Sequence, residues 1–170
     1  MRRIGITGGI GSGKSVVSRL LRIMGYSVYD TDSEAKRLME SSLEVVQKLS
    51  ECFGRDIYHN GRLNRGLLSS RVFGKSDKIV LLNSIVHPVV RFDFYRWSES
   101  LNEEICFVES AILYESRFDE LVDEVWTVTA PEELRIGRVR QRSGLTEEEI
   151  KKRMAAQLSE EEKQRRAAHI

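Results

Sequence analysis

The stretch Arg3-Ile4-Gly5-Ile6-Thr7-Gly8-Gly9-Ile10-Gly11-Ser12-Gly13-Lys14-Ser15 decides the fold. Arg3 to Thr7 is short, apolar and bounded by glycine, which predicts a buried parallel strand and not a helix of that length. Beyond it, Val16, Val17, Leu20, Leu21 and Met24 recur with helical spacing, and Gly25 supplies a stop. Between strand and helix, Gly8 to Ser15 satisfies Gly-x-x-x-x-Gly-Lys-Ser, and that context makes the pattern a phosphate-binding loop. Glycines let the backbone curl so that successive amides point at phosphate oxygens, and the start of the helix adds a positive dipole. Gly9, Gly11, Ser12, Gly13, Lys14, Ser15 and Val16 are therefore the expected ATP-binding set. Lys14 would place a charge between the terminal phosphates, and Ser15 would offer its hydroxyl to Mg²⁺.

Outward from that loop, Tyr26 to Tyr29 reads as a second strand, so the first 32 residues form a strand, helix, strand unit with a parallel sheet. Ile105 to Glu109 and Val125 to Thr129 supply two more strands. Between them, Ser33 to about Leu101 reads as a series of short amphipathic helices. Its punctuation is Ser41 with Glu44 as a capping box, Phe53-Gly54 as a stop and Asn60-Gly61 as a turn. His87-Pro88 predicts a bend or break in the last of these helices. After Ala130-Pro131, Thr146 with Glu149 and Ser159 with Glu162 mark two further charged helices. The expected fold class is α/β: a three-layer, mainly parallel P-loop kinase fold with a helical insertion and a helical lid. One domain is expected, with its core at about 1–32 and 102–134, the insertion at about 33–101 and the lid at about 135–160.

Composition narrows the partners. The 170 residues carry 41% hydrophobic and 31% charged side chains and a net charge of +1, ordinary for one globular core and a poor match to a broad basic nucleic-acid surface. Cys52 and Cys106 have neither metal-ligand nor disulfide spacing, and no apolar run approaches a membrane span. The expectation is a cytoplasmic protein with small-molecule partners, no nucleic acid and no membrane.

Ligands of open parallel sheets gather at the carboxyl ends of the strands, where Asp30, Asp32 and Glu109 fall. Phosphoryl transfer to an alcohol needs a carboxylate that takes or orients the hydroxyl proton, which suits Asp32. Asp32 also reads as the N-cap of a helix starting near Ser33. Glu109 follows four apolar residues as a Mg²⁺-binding acid does, directly or through water, and equally as a solvated strand end. Arg138 and Arg142 share one helical face, compatible with a lid over the transferring phosphate or with plain surface. His87 has both a substrate-contact and a structural reading.

The P-loop wording from Thr7 to Ser15, Asp30-Thr31-Asp32, the Arg65 to Phe73 segment, His87-Pro88, and Leu145-Thr146 running on to Gln157 together resemble dephospho-CoA kinase from Met1 to about His169. The resemblance implies transfer of the ATP γ-phosphate, with Mg²⁺, to the ribose 3′-hydroxyl of dephospho-coenzyme A, the last step of coenzyme A synthesis. Asp32 would be the base, assisted by Lys14 and Arg138, with Arg142 on ATP and Ser15 and Glu109 on the metal. The helical insertion would bind the acceptor and bring Arg65 and His87 to it, with Glu115 as a further substrate residue. Where the family reads Asp-x-Pro-Leu-Leu-Phe-Glu, this chain has Glu109-Ser110-Ala111-Ile112-Leu113-Tyr114-Glu115, keeping the acids and losing the proline. The family also continues with another core strand, a loop near the adenine and a final helix, which are expected to be absent here. The rivals are another small-molecule P-loop kinase and a regulatory P-loop NTPase. The second lacks support, since there is neither an Asn-Lys-x-Asp guanine motif nor an ABC-type signature.

Overall fold

A computed structural model describes residues 1–170. The chain divides into two compact units, 1–30 with 98–170, and 31–97. The first holds the sheet. Strands β1 (Arg2–Thr7), β2 (Ser27–Asp30), β5 (Ile105–Glu109) and β6 (Glu124–Thr127) lie in the order β2-β5-β1-β6, every pair parallel. Helix α1 (Lys14–Ile23) connects β1 to β2. It is followed by Gly25 at φ 94, a left-handed position that suits glycine. Ile4 and Ile6 of β1 and Phe107 of β5 cluster with Leu21 and Val17 of α1. Phe107 meets Tyr26 and Trp126 edge to face, with ring centroids 5.5 and 5.4 Å apart. The opposite face is so close at Gly5 that an added Cβ would stand 2.7 Å from Leu113 Cδ1, which explains why a strand interior tolerates glycine there.

Helices α6 (Glu132–Ser143), α7 (Glu147–Ala155) and α8 (Glu160–Arg166) complete this unit. Thr146 and Glu149 form the expected reciprocal capping box on α7, and the Ser159 side chain caps α8 by accepting from the Glu162 amide. Beside β6, Ala168 donates to Val125 O at 2.8 Å, Thr127 donates to His169 O at 2.8 Å, and Trp126 and His169 form a parallel bridge. The last residues thus add one bridge of a fifth strand where no further strand was expected.

The second unit is helical, as expected: α2 (Thr31–Ser41), α3 (Leu43–Phe53), the hairpin β3 (Tyr58–His59) and β4 (Arg62–Leu63), α4 (Arg65–Val72) and most of α5 (Ser76–Ser100). Leu38, Val45, Leu49, Phe53, Ile57 and Leu68 are buried within it. Asn60-Gly61 makes the hairpin turn, both residues at positive φ, and Gly54 follows α3 as the stop. Two expectations are corrected. The cap of α3 is Ser42, whose side chain accepts from the Val45 amide, while Ser41 is the last residue of α2 and its hydroxyl donates to Arg37 O at 2.9 Å. Pro88 does not break its helix: α5 runs through it for 25 residues. An interior proline costs about 3 kcal/mol, but Ile85, Val86, Val90 and Phe94 are buried on either side of it. Each such burial contributes about 1.5–3 kcal/mol. Pro88 and Ser84 are both exposed, so water can satisfy the Ser84 carbonyl that the missing amide would have met.

Candidate active site

The loop joining β1 to α1 has the conformation that its glycines predict. Gly8, Gly11 and Gly13 take φ values of 140, 81 and 109, angles that side-chain-bearing residues rarely adopt. A Cβ at Gly8 would lie 2.1 Å from Val128 O, and one at Gly11 would lie 2.5 Å from Arg135 O, so the loop is also packed too closely for any larger residue. Ser12 donates to Gly9 O at 3.1 Å and Val16 to Gly13 O at 2.9 Å, closing the turn into the helix. The amides of Gly11 and Gly13 have no protein acceptor. Lys14 is 9% exposed and its Nζ donates to Gly8 O at 2.8 Å and Gly9 O at 3.3 Å. Ser15 is exposed in the first turn of α1.

The carboxylates stand at the same end of the sheet. In register, Asp30 faces Glu109 across β2 and β5, and Glu109 faces Ile6 across β5 and β1. Both are half-buried. Asp32 is exposed and lies inside the first turn of α2, one residue after its start at Thr31. The helix therefore begins before Asp32, which removes it from the N-cap position. Oxygen donors alone, the Ser15 hydroxyl and one or two strand-end carboxylates, suit a hard cation that keeps its water and takes further ligands from phosphates. Nowhere do three His, Cys, Asp or Glu side chains converge into a self-sufficient metal cage.

From α6, Arg138 Nη1 donates to Gly11 O at 3.3 Å and Ser12 O at 3.2 Å, so this arginine reaches the loop. Arg142, one turn on, is exposed and makes no ion pair. Glu115 Oε1 accepts from the Leu158 amide at 2.6 Å and lies 3.9 Å from Lys163 Nζ. In the helical unit Arg65 is exposed and paired with Glu40 at 3.1 Å. His87 is half-buried on α5, and burial together with the charge of Arg91 lowers its pKa, favouring the neutral ring.

Three residues absent from the expected set hold backbone groups of the loop or of the segment after Glu109. Arg135 is 4% exposed, its Nε donates to Ile10 O at 3.1 Å and its Nη1 is 3.4 Å from Glu160 Oε1. Gln157 Oε1 accepts from the Ile10 amide at 3.0 Å. Lys163 is fully buried, and its Nζ donates to Ala111 O at 2.9 Å in the segment after Glu109. Burial lowers the Lys163 pKa, offset in part by Glu115 and Glu160. Arg135 was detectable in principle, because it lies four residues before Val139, the buried apolar residue of its helix. Nothing in Glu-Glu-Glu-Lys-Gln-Arg-Arg marks the lysine as interior.

The family model described as Dephospho-CoA kinase (CoaE) matches residues 2–170. This chain belongs to the dephospho-CoA kinase family. It is 45% identical over 161 residues to a dephospho-CoA kinase of Porphyromonas gingivalis, covering 95% of this chain and 80% of that protein. A Thermus thermophilus protein of known crystal structure aligns with a TM-score of 0.84 at 39% identity, covering 99% and 86% of the two chains. The Campylobacter jejuni dephospho-CoA kinase aligns with a TM-score of 0.72 at 25% identity, covering 100% and 88%. The fold is the P-loop kinase fold, and the activity of the family is the ATP-dependent phosphorylation of dephospho-CoA that completes coenzyme A synthesis. No helix is long and apolar enough to cross a membrane.

Proposed function

We propose that this dephospho-CoA kinase transfers the ATP γ-phosphate to the ribose 3′-hydroxyl of dephospho-CoA with Mg²⁺, in the cytoplasm, where Cys52 and Cys106 would stay reduced. The observation that carries the reading is the phosphate-binding loop leaving β1 beside the strand-end carboxylates Asp30 and Glu109, with Asp32 two residues beyond the end of β2. Gly9 to Val16 receive the phosphates, and Lys14 offsets charge between the terminal two. Asp32 accepts the proton of the attacking hydroxyl as its oxygen bonds to the γ-phosphorus and the bond to the β-phosphate oxygen breaks. Ser15 and Glu109 would hold the cation, Glu109 directly or through water; bound there, it would supply charge neutralisation at the phosphates.

Arg138, already hydrogen-bonded to the loop backbone, supplies positive charge to the transferring group, with Arg142 on ATP. The helical unit takes the acceptor, using Arg65 as a cation and His87 as a neutral hydrogen-bonding group. Glu115, whose Oε1 orders the Leu158 segment, is the further substrate residue, through its other oxygen.

The regiochemistry is tested by phosphorus and proton NMR of the product made from ATP and dephospho-CoA. The expected signal is a monoester on the 3′-carbon of the ribose, formed only with a divalent cation present; phosphorylation at another hydroxyl, or full activity in excess chelator, overturns the assignment. For Arg138→Ala we expect kcat to fall by about 10- to 100-fold, while KM for ATP rises less than about threefold, since the guanidinium matters most where charge develops. A rise in KM for ATP with kcat unchanged would make Arg138 a binding residue only.

A further inference from the structure

The loop peptide at Ile10 is held from both sides by side chains that follow β6 in the chain. Its amide donates to Gln157 Oε1 at 3.0 Å, and its carbonyl accepts from Arg135 Nε at 3.1 Å. Arg135 is in turn anchored by Glu160, 3.4 Å away, and both side chains are largely buried, 5% and 19% exposed. The fit allows no slack at the loop: a Cβ at Gly9 would stand 2.2 Å from Arg135 Nη2 and 2.2 Å from Glu160 Oε1. The same helix that carries Glu160 also carries Lys163, whose Nζ holds Ala111 O just after the strand-end acid Glu109. One short segment, 157–163, thus holds the backbone on both sides of the site.

We infer that Gln157 and Arg135 are positioning residues for the nucleotide phosphates. Fixing both ends of one peptide sets the plane from which the chain enters the Gly11-Ser12-Gly13 turn. Gly11 and Gly13 have amides with no protein acceptor, and glycine at positive φ does not by itself hold a single orientation. Without the clamp the loop samples other turns, and ATP binding must select the competent one, raising the apparent dissociation constant by the fraction lost. The clamp acts on the nucleotide and not on the acceptor, which distinguishes it from a general contribution to folding. This assignment rests on the reading of Gly8 to Ser15 as the phosphate site.

The test is a series at Gln157 in the full chain, with KM for ATP, KM for dephospho-CoA, kcat and Tm measured for each variant. Gln157→Leu fills the space without an acceptor and is expected to raise KM for ATP about tenfold, the scale of one lost hydrogen bond to a buried group. KM for dephospho-CoA is expected to stay within about twofold. Gln157→Glu keeps an acceptor oxygen and should restore most of the affinity for ATP. Arg135→Lys should raise KM for ATP as well, and its loss should not multiply with that of Gln157→Leu, because both release the same peptide. An unchanged KM for ATP in Gln157→Leu overturns the inference. So does an equal rise in both KM values, or a fall in Tm with no rescue by Gln157→Glu. If Lys14→Ala also leaves KM for ATP and kcat unaltered, the phosphate-site reading itself has failed and not merely the clamp.

Discussion

Asp32→Asn is expected to lower kcat about a thousandfold, within the 10²- to 10⁴-fold range of a positioned general base, while KM for ATP changes by less than about twofold. Asparagine keeps the size and the hydrogen-bonding oxygen and removes the one property the reaction needs, a site for the proton. Asp32 is exposed in the first turn of α2, so the substitution disturbs no packed interior. Losing a carboxylate from a first helical turn costs only about 0.3–1 kcal/mol of stability. A Tm near that of the parent protein therefore accompanies the loss of turnover. Near-normal turnover in the variant would assign the proton to another group.

How far the sequence reveals this enzyme depends on the range of the interaction concerned. The strand, loop and helix around Gly8 to Ser15 were legible because the chemistry is local: each glycine answers to its own φ or to a close approach, and the apolar spacing of Val17 and Leu21 is the α1 face itself. The box of Thr146 and Glu149 was legible for the same reason. Ser41 misled because Ser41 and Ser42 both offer a hydroxyl, and the choice between them depends on where α2 ends, which neighbouring helices decide. Pro88 misled because a local rule worth about 3 kcal/mol competed with the burial of Ile85, Val86, Val90 and Phe94, and the sum of long-range contacts prevailed. At the site, the strand-end positions of Asp30 and Glu109 were legible from the apolar runs before them, while spacing left Arg138 open between a lid and plain surface. The contacts of Gln157 and Lys163 were not legible, since their partners, Ile10 and Ala111, are 147 and 52 residues away and are backbone groups; Gln157 entered only as the end of a segment that resembles the family.

Lys14→Ala is expected to lower kcat/KM for ATP by about 10³- to 10⁴-fold, most of it in kcat, because a charge set against the transferring phosphate in a water-poor site stabilises the transition state more than the ground state. Lys14 is 9% exposed, and its Nζ is hydrogen-bonded to the carbonyls of Gly8 and Gly9. The ammonium is thus already inside the loop and needs little reorganisation to meet a phosphate. Alanine removes the charge and also releases two carbonyls of the turn, so two further variants separate the effects. Lys14→Met keeps the aliphatic stem without the charge, and should match Lys14→Ala in kcat if the charge dominates. Lys14→Arg keeps the charge on a planar fork too wide for a cradle closed by two carbonyls, and should recover nucleotide binding better than turnover. Calorimetric titration with ATP in the absence of acceptor gives the binding part directly. Were Lys14→Met to retain more than about a tenth of the parent kcat, the lysine would be a brace for the loop, and the charge at the transferring phosphate would have to come from Arg138, Arg142 and the cation.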